Sequence, residues 1–277
     1  MEKITDLLLI LILIAGLTSG CSKEKPVPPA LPPVESMKID FSNFITEKKR
    51  ASFYDAKGIE TASWAFSALA AGYWNSIMVT TLAIPVIAYE NAARHSPVYL
   101  EDNTWEWKYD TRVFMATYRI RITGRTYGHN AEWKMYVSME GNGSFPEFLW
   151  MEGNSRLDGT GGQWTLNHCS FFNEPVMQID WTSDGTHIQT VKYTYIRELN
   201  DSREEDPFRT SFIEFGKKSG STYDAYFVIH YFNGSGFSDV EVEWSTTEKH
   251  GRVRCRAFFA DDEWHCWNGN YVNIFCP

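Results

Sequence analysis

From Tyr99 onward the chain alternates apolar and polar residues with a period of two. Trp105, Trp107 and Tyr109 interleave with Glu106, Lys108 and Asp110. Ile120 and Ile122 interleave with Arg119, Arg121 and Thr123, and Trp133, Met135 and Val137 with Lys134 and Ser138. Val240, Val242 and Trp244 interleave with Asp239, Glu241 and Glu243. Successive side chains of a strand point to opposite faces, so each run predicts an antiparallel strand with one buried and one wet face. Asn142-Gly143, Asp158-Gly159, Asp184-Gly185, Asn233-Gly234 and Asn268-Gly269 fall between such runs. Asx-Gly pairs tolerate positive φ and close tight hairpins. About eleven strands are expected, at the roughly 8–12-residue spacing of all-β chains. Tyr223 to Phe232 is apolar at both alternations, which predicts a mid-sheet strand covered on both sides.

Between Ala62 and Ala93 the pattern is different. The stretch is rich in alanine and holds one formal charge, Glu90, with no polar face at a 3.6-residue period. A helix that is apolar all round must be covered all round. The reading is a helical segment over about 61–94, broken after about Val79 and resuming near Pro85, because proline lacks the N–H that an interior helix bond needs. Length alone admits a membrane span, but Ser63, Ser67, Asn75, Ser76, Thr80 and Thr81 dilute it. The expected fold class is mainly β: a large curved antiparallel meander sheet, half-barrel-like, packed on one or two apolar helices. The alternative is a β-sandwich with the helices outside. Residues 37–277 are read as a single β-rich domain.

The first 21 residues carry an address. Leu7 to Leu17 is an unbroken apolar or small-residue stretch after a short polar start with Lys3. That is the length of a signal-peptide core and short of the roughly 20 residues of a membrane span. It ends at Thr18-Ser19-Gly20-Cys21, which resembles the lipobox of bacterial lipoprotein precursors. Leu17 sits one place further from Cys21 than that family's usual leucine, and Asp6 puts an acid in the leading segment. The resemblance implies removal of residues 1–20 and lipidation of Cys21, with the membrane as partner. Ser22 follows the cysteine, where aspartate implies inner-membrane retention in that family. The implied location is therefore the outer membrane, with the domain in the periplasm or at the cell surface. Residues 21–36 contain Pro26, Pro28, Pro29, Pro32 and Pro33. Proline at this density favours an extended tether, of which about fourteen residues at about 3.1 Å each reach roughly 40 Å. The expected architecture, a curved sheet with inserted helices, is similar to periplasmic lipoprotein carriers of the LolA and LppX type. The similarity is of architecture alone, without a shared motif.

Composition narrows the chemistry. A net charge of −9 over 277 residues argues against nucleic acid, whose binders carry a basic stripe. With Cys21 lipidated, Cys169, Cys255, Cys266 and Cys276 remain. An even set in an exported chain points to disulfides, with three connectivities open and buried free thiols as the other reading. Intervals of ten and nine residues among the last three cysteines lack the close ligand pairs of structural zinc sites, so neither metal nor cofactor is expected. His168-Cys169 is read as a strand end with the two side chains on opposite faces. Glu198 to Asp206 is read as a solvated hairpin loop, since it lacks the spacing of a calcium loop. No nucleophile elbow, P-loop, zinc-protease or dinucleotide fingerprint occurs. The tryptophans share faces with Val, Met and Ile, which marks them as core. The function expected is that of a non-enzymatic envelope lipoprotein that binds an apolar ligand or acts as an envelope scaffold. Trp64, Leu69, Tyr73 and Ile77 of the helical segment are the candidate lining. The alternatives are a surface carbohydrate-binding lipoprotein, if the tryptophans line up outside, and a glycoside hydrolase-like enzyme, if two acids meet in the fold.

Overall fold

The computed structural model of the chain describes residues 27–38, 61–113 and 115–277. The signal segment and Cys21 lie outside the described residues. The chain enters through a 3-10 turn, Val34–Met37, and one long helix, α1, Ala62–Ala92. Fourteen strands follow: β1 Val98–Tyr99, β2 Thr104–Val113, β3 Ala116–Tyr127, β4 Asn130–Glu140, β5 Phe145–Arg156, β6 Gly161–Asn167, β7 Pro175–Ser183, β8 Ile188–Tyr195, β9 Phe212–Lys217, β10 Ala225–Phe232, β11 Phe237–Trp244, β12 Gly251–Arg254, β13 His265–Trp267 and β14 Asn273–Ile274. A short helix, α2, Arg256–Phe259, separates β12 from β13. The strands form one antiparallel sheet in sequence order, open between β1 and β14. All five Asx-Gly pairs sit between consecutive strands, and four of their glycines have positive φ. The strand count exceeds eleven because short edge strands such as β13 and β14 are too brief to show a period.

Open sheets of more than about ten strands curl, and α1 lies inside this curl. Near its start, Ser63 N donates to Asn273 Oδ1 at 3.2 Å and Trp64 packs on Tyr271, with ring centroids 4.7 Å apart. Near its end, Asn91 Nδ2 donates to Thr111 Oγ1 of β2 at 2.8 Å, and Tyr109 donates its hydroxyl to the Ala88 carbonyl. The helix therefore runs across the concave face from the last strands to the first.

Two helices were expected here and one is found. Pro85 is buried within it, and the carbonyl it leaves without an amide belongs to Thr81, an exposed residue. Solvation of that carbonyl and burial of Pro85 offset the lost bond. Ser67, Ser76 and Thr80 return their hydroxyls to carbonyls one turn back, at 2.8–3.0 Å. The helix satisfies those polar groups internally. By length and composition α1 is also apolar enough to cross a membrane. The sheet covers one side of the helix only: Leu69, Tyr73 and Val79 are exposed on the other.

The inner face of the sheet is a layer of tryptophan. Trp133, Trp164, Trp181, Trp244 and Trp267 are all fully buried. Most stand directly opposite a glycine on the neighbouring strand: Gly124 faces Trp133, Gly153 faces Trp164, Gly162 faces Trp181 and Gly251 faces Trp267. A Cβ added at Gly124 would come within 2.6 Å of the Trp133 ring, and one at Gly251 within 2.2 Å of the Trp267 ring. Each indole thus lies flat over a strand that has no side chain there. The layer stays thin, and α1 fits above it. Trp164 carries this outward: its Nε1 donates to Ser36 Oγ at 3.1 Å, and its ring meets Tyr89 edge-on at 5.6 Å.

The strand β10 is buried on its inner face only; Tyr226, Val228 and His230 are half-buried on the outer one. Among the described residues no second layer covers them. Instead Tyr226 donates to Glu214 Oε1 at 2.7 Å, and His230 stacks against Phe212 and Phe237. Neighbouring strands screen this apolar face sideways.

Candidate functional site

Between α1 and strands β7 to β10 lies a cavity of about 440 Å³. That volume falls within the roughly 300–1,000 Å³ of small-molecule sites. The helix contributes Trp74, Ile77 and Met78. The sheet contributes Val176 and Met177 from β7, Tyr193 and Tyr195 from β8, Ile213 from β9, and Tyr231 and Phe232 from β10. Period-two alternation turns Val191, Tyr193 and Ile213 inward and Lys192 outward. His168, Arg197, Phe208 and Ser211 stand among its lining. A second cleft of about 290 Å³ beside α1 is lined by Met37, Lys38, Leu82, Val86 and Glu90. Lys38 and Glu90 pair with each other there. Met78 and Tyr193 border both spaces.

The polar side of the larger cavity is a compact ion-pair cluster between the β8–β9 loop and Glu174, the residue before β7. Arg197, only 9% exposed, donates through Nε to Glu174 at 3.0 Å and through a terminal nitrogen to Asp201 at 2.7 Å. Arg203 approaches Glu174 at 4.0 Å. Asp201 holds the Arg197 guanidinium firmly cationic, and Arg197 in turn holds the Asp201 carboxyl below the usual range. Tyr195 donates to Asp206 at 2.9 Å, and burial followed by that carboxylate pushes its phenol up to about 12. A carboxylate stabilised as an anion is a poor proton donor at neutral pH. The loop is a hairpin, as expected, with an isolated bridge between Leu199 and Glu205.

Of the lining residues expected from sequence, Ile77 borders the cavity. Trp64 is buried at the start of α1 against Tyr271. Leu69 and Tyr73 are 57% and 64% exposed. They lie on the solvent side of α1, because the curl admits one face of the helix. Sequence reasoning missed Tyr193, Tyr195, Arg197 and Ser211. In β8 the period of two sets Val191, Tyr193 and Tyr195 on one face, but nothing in the sequence marks that face as a cavity wall.

The cysteines divide. Cys266 and Cys276 form a disulfide, with Cα atoms 5.1 Å apart. Cys169 and Cys255 are outside any disulfide. Cys255 is buried at the start of α2, where burial pushes its thiol up. Cys169 lies in the loop after β6, and its Sγ is 3.5 Å from His168 Nδ1. The two side chains do not diverge as expected, since β6 ends at Asn167 and the alternation ends with it. Among the described residues no three His, Cys, Asp or Glu side chains gather as a metal site. Trp105, Trp107, Trp133, Trp164, Trp181 and Trp244 are at most 3% exposed, and Trp150 is half-buried. Comparison of the chain with protein-family models, with curated proteins and with solved structures finds no match.

Proposed function

We propose that the protein is a non-enzymatic bacterial envelope lipoprotein, held to the outer membrane through lipidated Cys21, whose sheet domain binds an apolar ligand beneath α1. The observation that carries this reading is the 440 Å³ cavity between α1 and β7–β10, walled by Ile77, Met78, Val176, Met177, Ile213 and Tyr231. Ligand sites are concave and mostly apolar, with a few placed polar groups, and this cavity has that composition. The anchor reading rests on the lipobox-like run before Cys21; the expected extended tether over 21–36 is corrected in its described part, since Pro29, Pro32 and Ser36 are buried against the domain and Ser36 accepts from Trp164. The inward turn of the tryptophans favours the apolar ligand over a glycan, which needs exposed rings in a row. Uptake of Glu174 and Asp201 by Arg197 favours binding over glycoside hydrolysis.

The test is displacement of a neutral environment-sensitive fluorophore from the full-length protein, compared with Val176→Phe. Val176 is 9% exposed and borders the cavity, so the larger ring occupies ligand space. Saturable binding that weakens at least tenfold in the variant is the expected result. Equal binding by the two proteins places the ligand elsewhere and refutes the reading.

A further inference from the structure

Val27 to Ala30 share a groove with Asn103, Thr126, Tyr127, Gly128 and Leu157. Pro29 and Pro32 are buried and Trp164 holds Ser36, so this stretch of chain is fixed to the domain. The place is one corner of the sheet. Consecutive strands run in opposite directions, so their connections alternate between two rims. The β1–β2, β3–β4 and β5–β6 turns share the rim beside Val27. They are tied together there: Thr126 N donates to Asn103 O at 3.0 Å and Leu157 N to His129 O at 2.9 Å. The β2–β3, β4–β5 and β6–β7 connections belong to the opposite rim.

This corner carries four exposed apolar side chains, Val27, Leu100, Tyr127 and Leu157. Single apolar residues on a surface are ordinary, whereas a group of them marks a contact with protein or membrane. The charged side chains of the same turns, Arg125 and Arg156 against Glu101, Asp102 and Asp158, with His129 beside them, nearly cancel. The corner therefore offers apolar contact more than charge.

Chain length decides what the corner meets. Cys21 and Val27 are six residues apart. In any conformation that stretch reaches at most about 20–22 Å. β3, Ala116–Tyr127, crosses from one rim to the other, which at about 3.3 Å per residue is roughly 35–40 Å. A lipid on Cys21 cannot bring the opposite rim to the bilayer, but it brings this corner there.

We propose that Val27, Leu100, Tyr127 and Leu157 form a membrane-contact patch, seated in the headgroup region of the bilayer that holds the Cys21 lipid. The inference rests on the anchor reading above and adds an orientation to it. Tyrosine suits that position, since its ring is apolar and its hydroxyl stays wet. The sheet then stands upright on the membrane. Arg197, Glu174 and Asp201, which flank the larger cavity, belong to the β8–β9 and β6–β7 connections of the opposite rim. That end of the cavity faces away from the anchoring bilayer.

Photolabelling tests the patch. The protein purified from its own envelope is reconstituted in phosphatidylcholine vesicles that contain a phospholipid with a diazirine on its acyl chain. After irradiation, adducts are mapped by peptide mass spectrometry. Peptides holding Tyr127 and Leu157 are expected to exceed those holding Met115 and Phe171 of the opposite rim by about fivefold or more, because only side chains at the headgroup boundary meet acyl chains. Met115 and Phe171 are 92% and 84% exposed against 51% for Tyr127, so exposure alone would give the reverse order. In the double variant Tyr127→Glu, Leu157→Glu, labelling of the unaltered Leu100 should fall severalfold, with melting and lipidation unchanged. A corner labelled no more than the opposite rim, or less than Leu69, Tyr73 and Val79 of α1, overturns the inference. So does labelling of Leu100 that persists in the variant. If the intact mass shows lipid on Cys21 in those cases, the anchor reading stands. An intact mass without lipid overturns both. The comparison of rims within the parent needs no variant.

Discussion

Replacing Gly153 with alanine tests the packing that holds α1 over the sheet. Gly153 pairs with Trp164 across β5 and β6. A Cβ there would stand 2.2 Å from the Gln163 carbonyl oxygen, 2.6 Å from Trp164 Cε3 and 3.1 Å from Trp164 Cα. Two of those three atoms are backbone and cannot swing aside, so β5 and β6 must separate or the indole must tilt. Overpacking of this kind costs about 1–3 kcal/mol, and backbone contact places this site at the upper end. For a domain of this size about 3 kcal/mol lowers Tm by roughly 6–12 °C. Because Trp164 also bonds Ser36 and packs on Tyr89, the displacement should loosen α1 and weaken fluorophore binding as well. Gly236→Ala is the control: nothing lies within 4 Å of its added Cβ and its φ is not left-handed. Its effect should stay within about 0.5 kcal/mol. Thermal melts followed by near-ultraviolet circular dichroism, which reports the tryptophan layer, decide the matter. A Gly153→Ala protein that melts with the control refutes the glycine-under-tryptophan account.

Three further outcomes are expected. Cys276→Ser opens the ten-residue span of the Cys266–Cys276 bridge; loop-closure entropy puts the loss at about 2–3 kcal/mol, read as a fall in the urea midpoint. Hydrogen bonds from Arg121 to Glu147, from Arg197 to Asp201 and from His265 to Asp261 depress those carboxyl pKa values in the folded state. Their contribution is complete above the ordinary carboxylate range and is lost as pH falls through the lowered values, so Tm should be flat from neutral pH to about 5 and decline below about 4. A decline that begins near pH 6 would show that other groups dominate. Cys21→Ala should move the protein out of the membrane fraction, and mass spectrometry of the parent should find a lipidated Cys21 as the first residue; an unmodified Cys21 or an intact Met1 contradicts the anchor.

The fold was largely legible because strands with one wet face write their burial into alternate positions. Trp105, Trp107 and Tyr109 are buried while Lys108 and Asp110 are not. Turn chemistry is equally local, so Asp184-Gly185 and its counterparts marked hairpins without knowledge of the fold. Pro85 misled because the cost of a missing helix bond depends on surroundings that only the folded chain supplies. The outer face of β10 misled for a related reason: Phe212 and Phe237 screen it from neighbouring strands, which a single strand's pattern does not reveal. The pairing of tryptophans with glycines was not legible, because register decides which residues face each other. The candidate site was least legible. Its walls come from Ile77, Val176, Tyr193 and Ile213 on separate elements, which no single element's pattern brings together.

The central claim, a ligand-filled space beneath α1, is tested most directly by native mass spectrometry of the full-length protein purified from its own envelope. The account predicts adduct peaks above the protein mass, an apolar compound in the organic extract, and loss of the adduct in Val176→Phe purified in parallel. Bare protein mass in both samples, or an adduct that survives Val176→Phe unchanged, would contradict it.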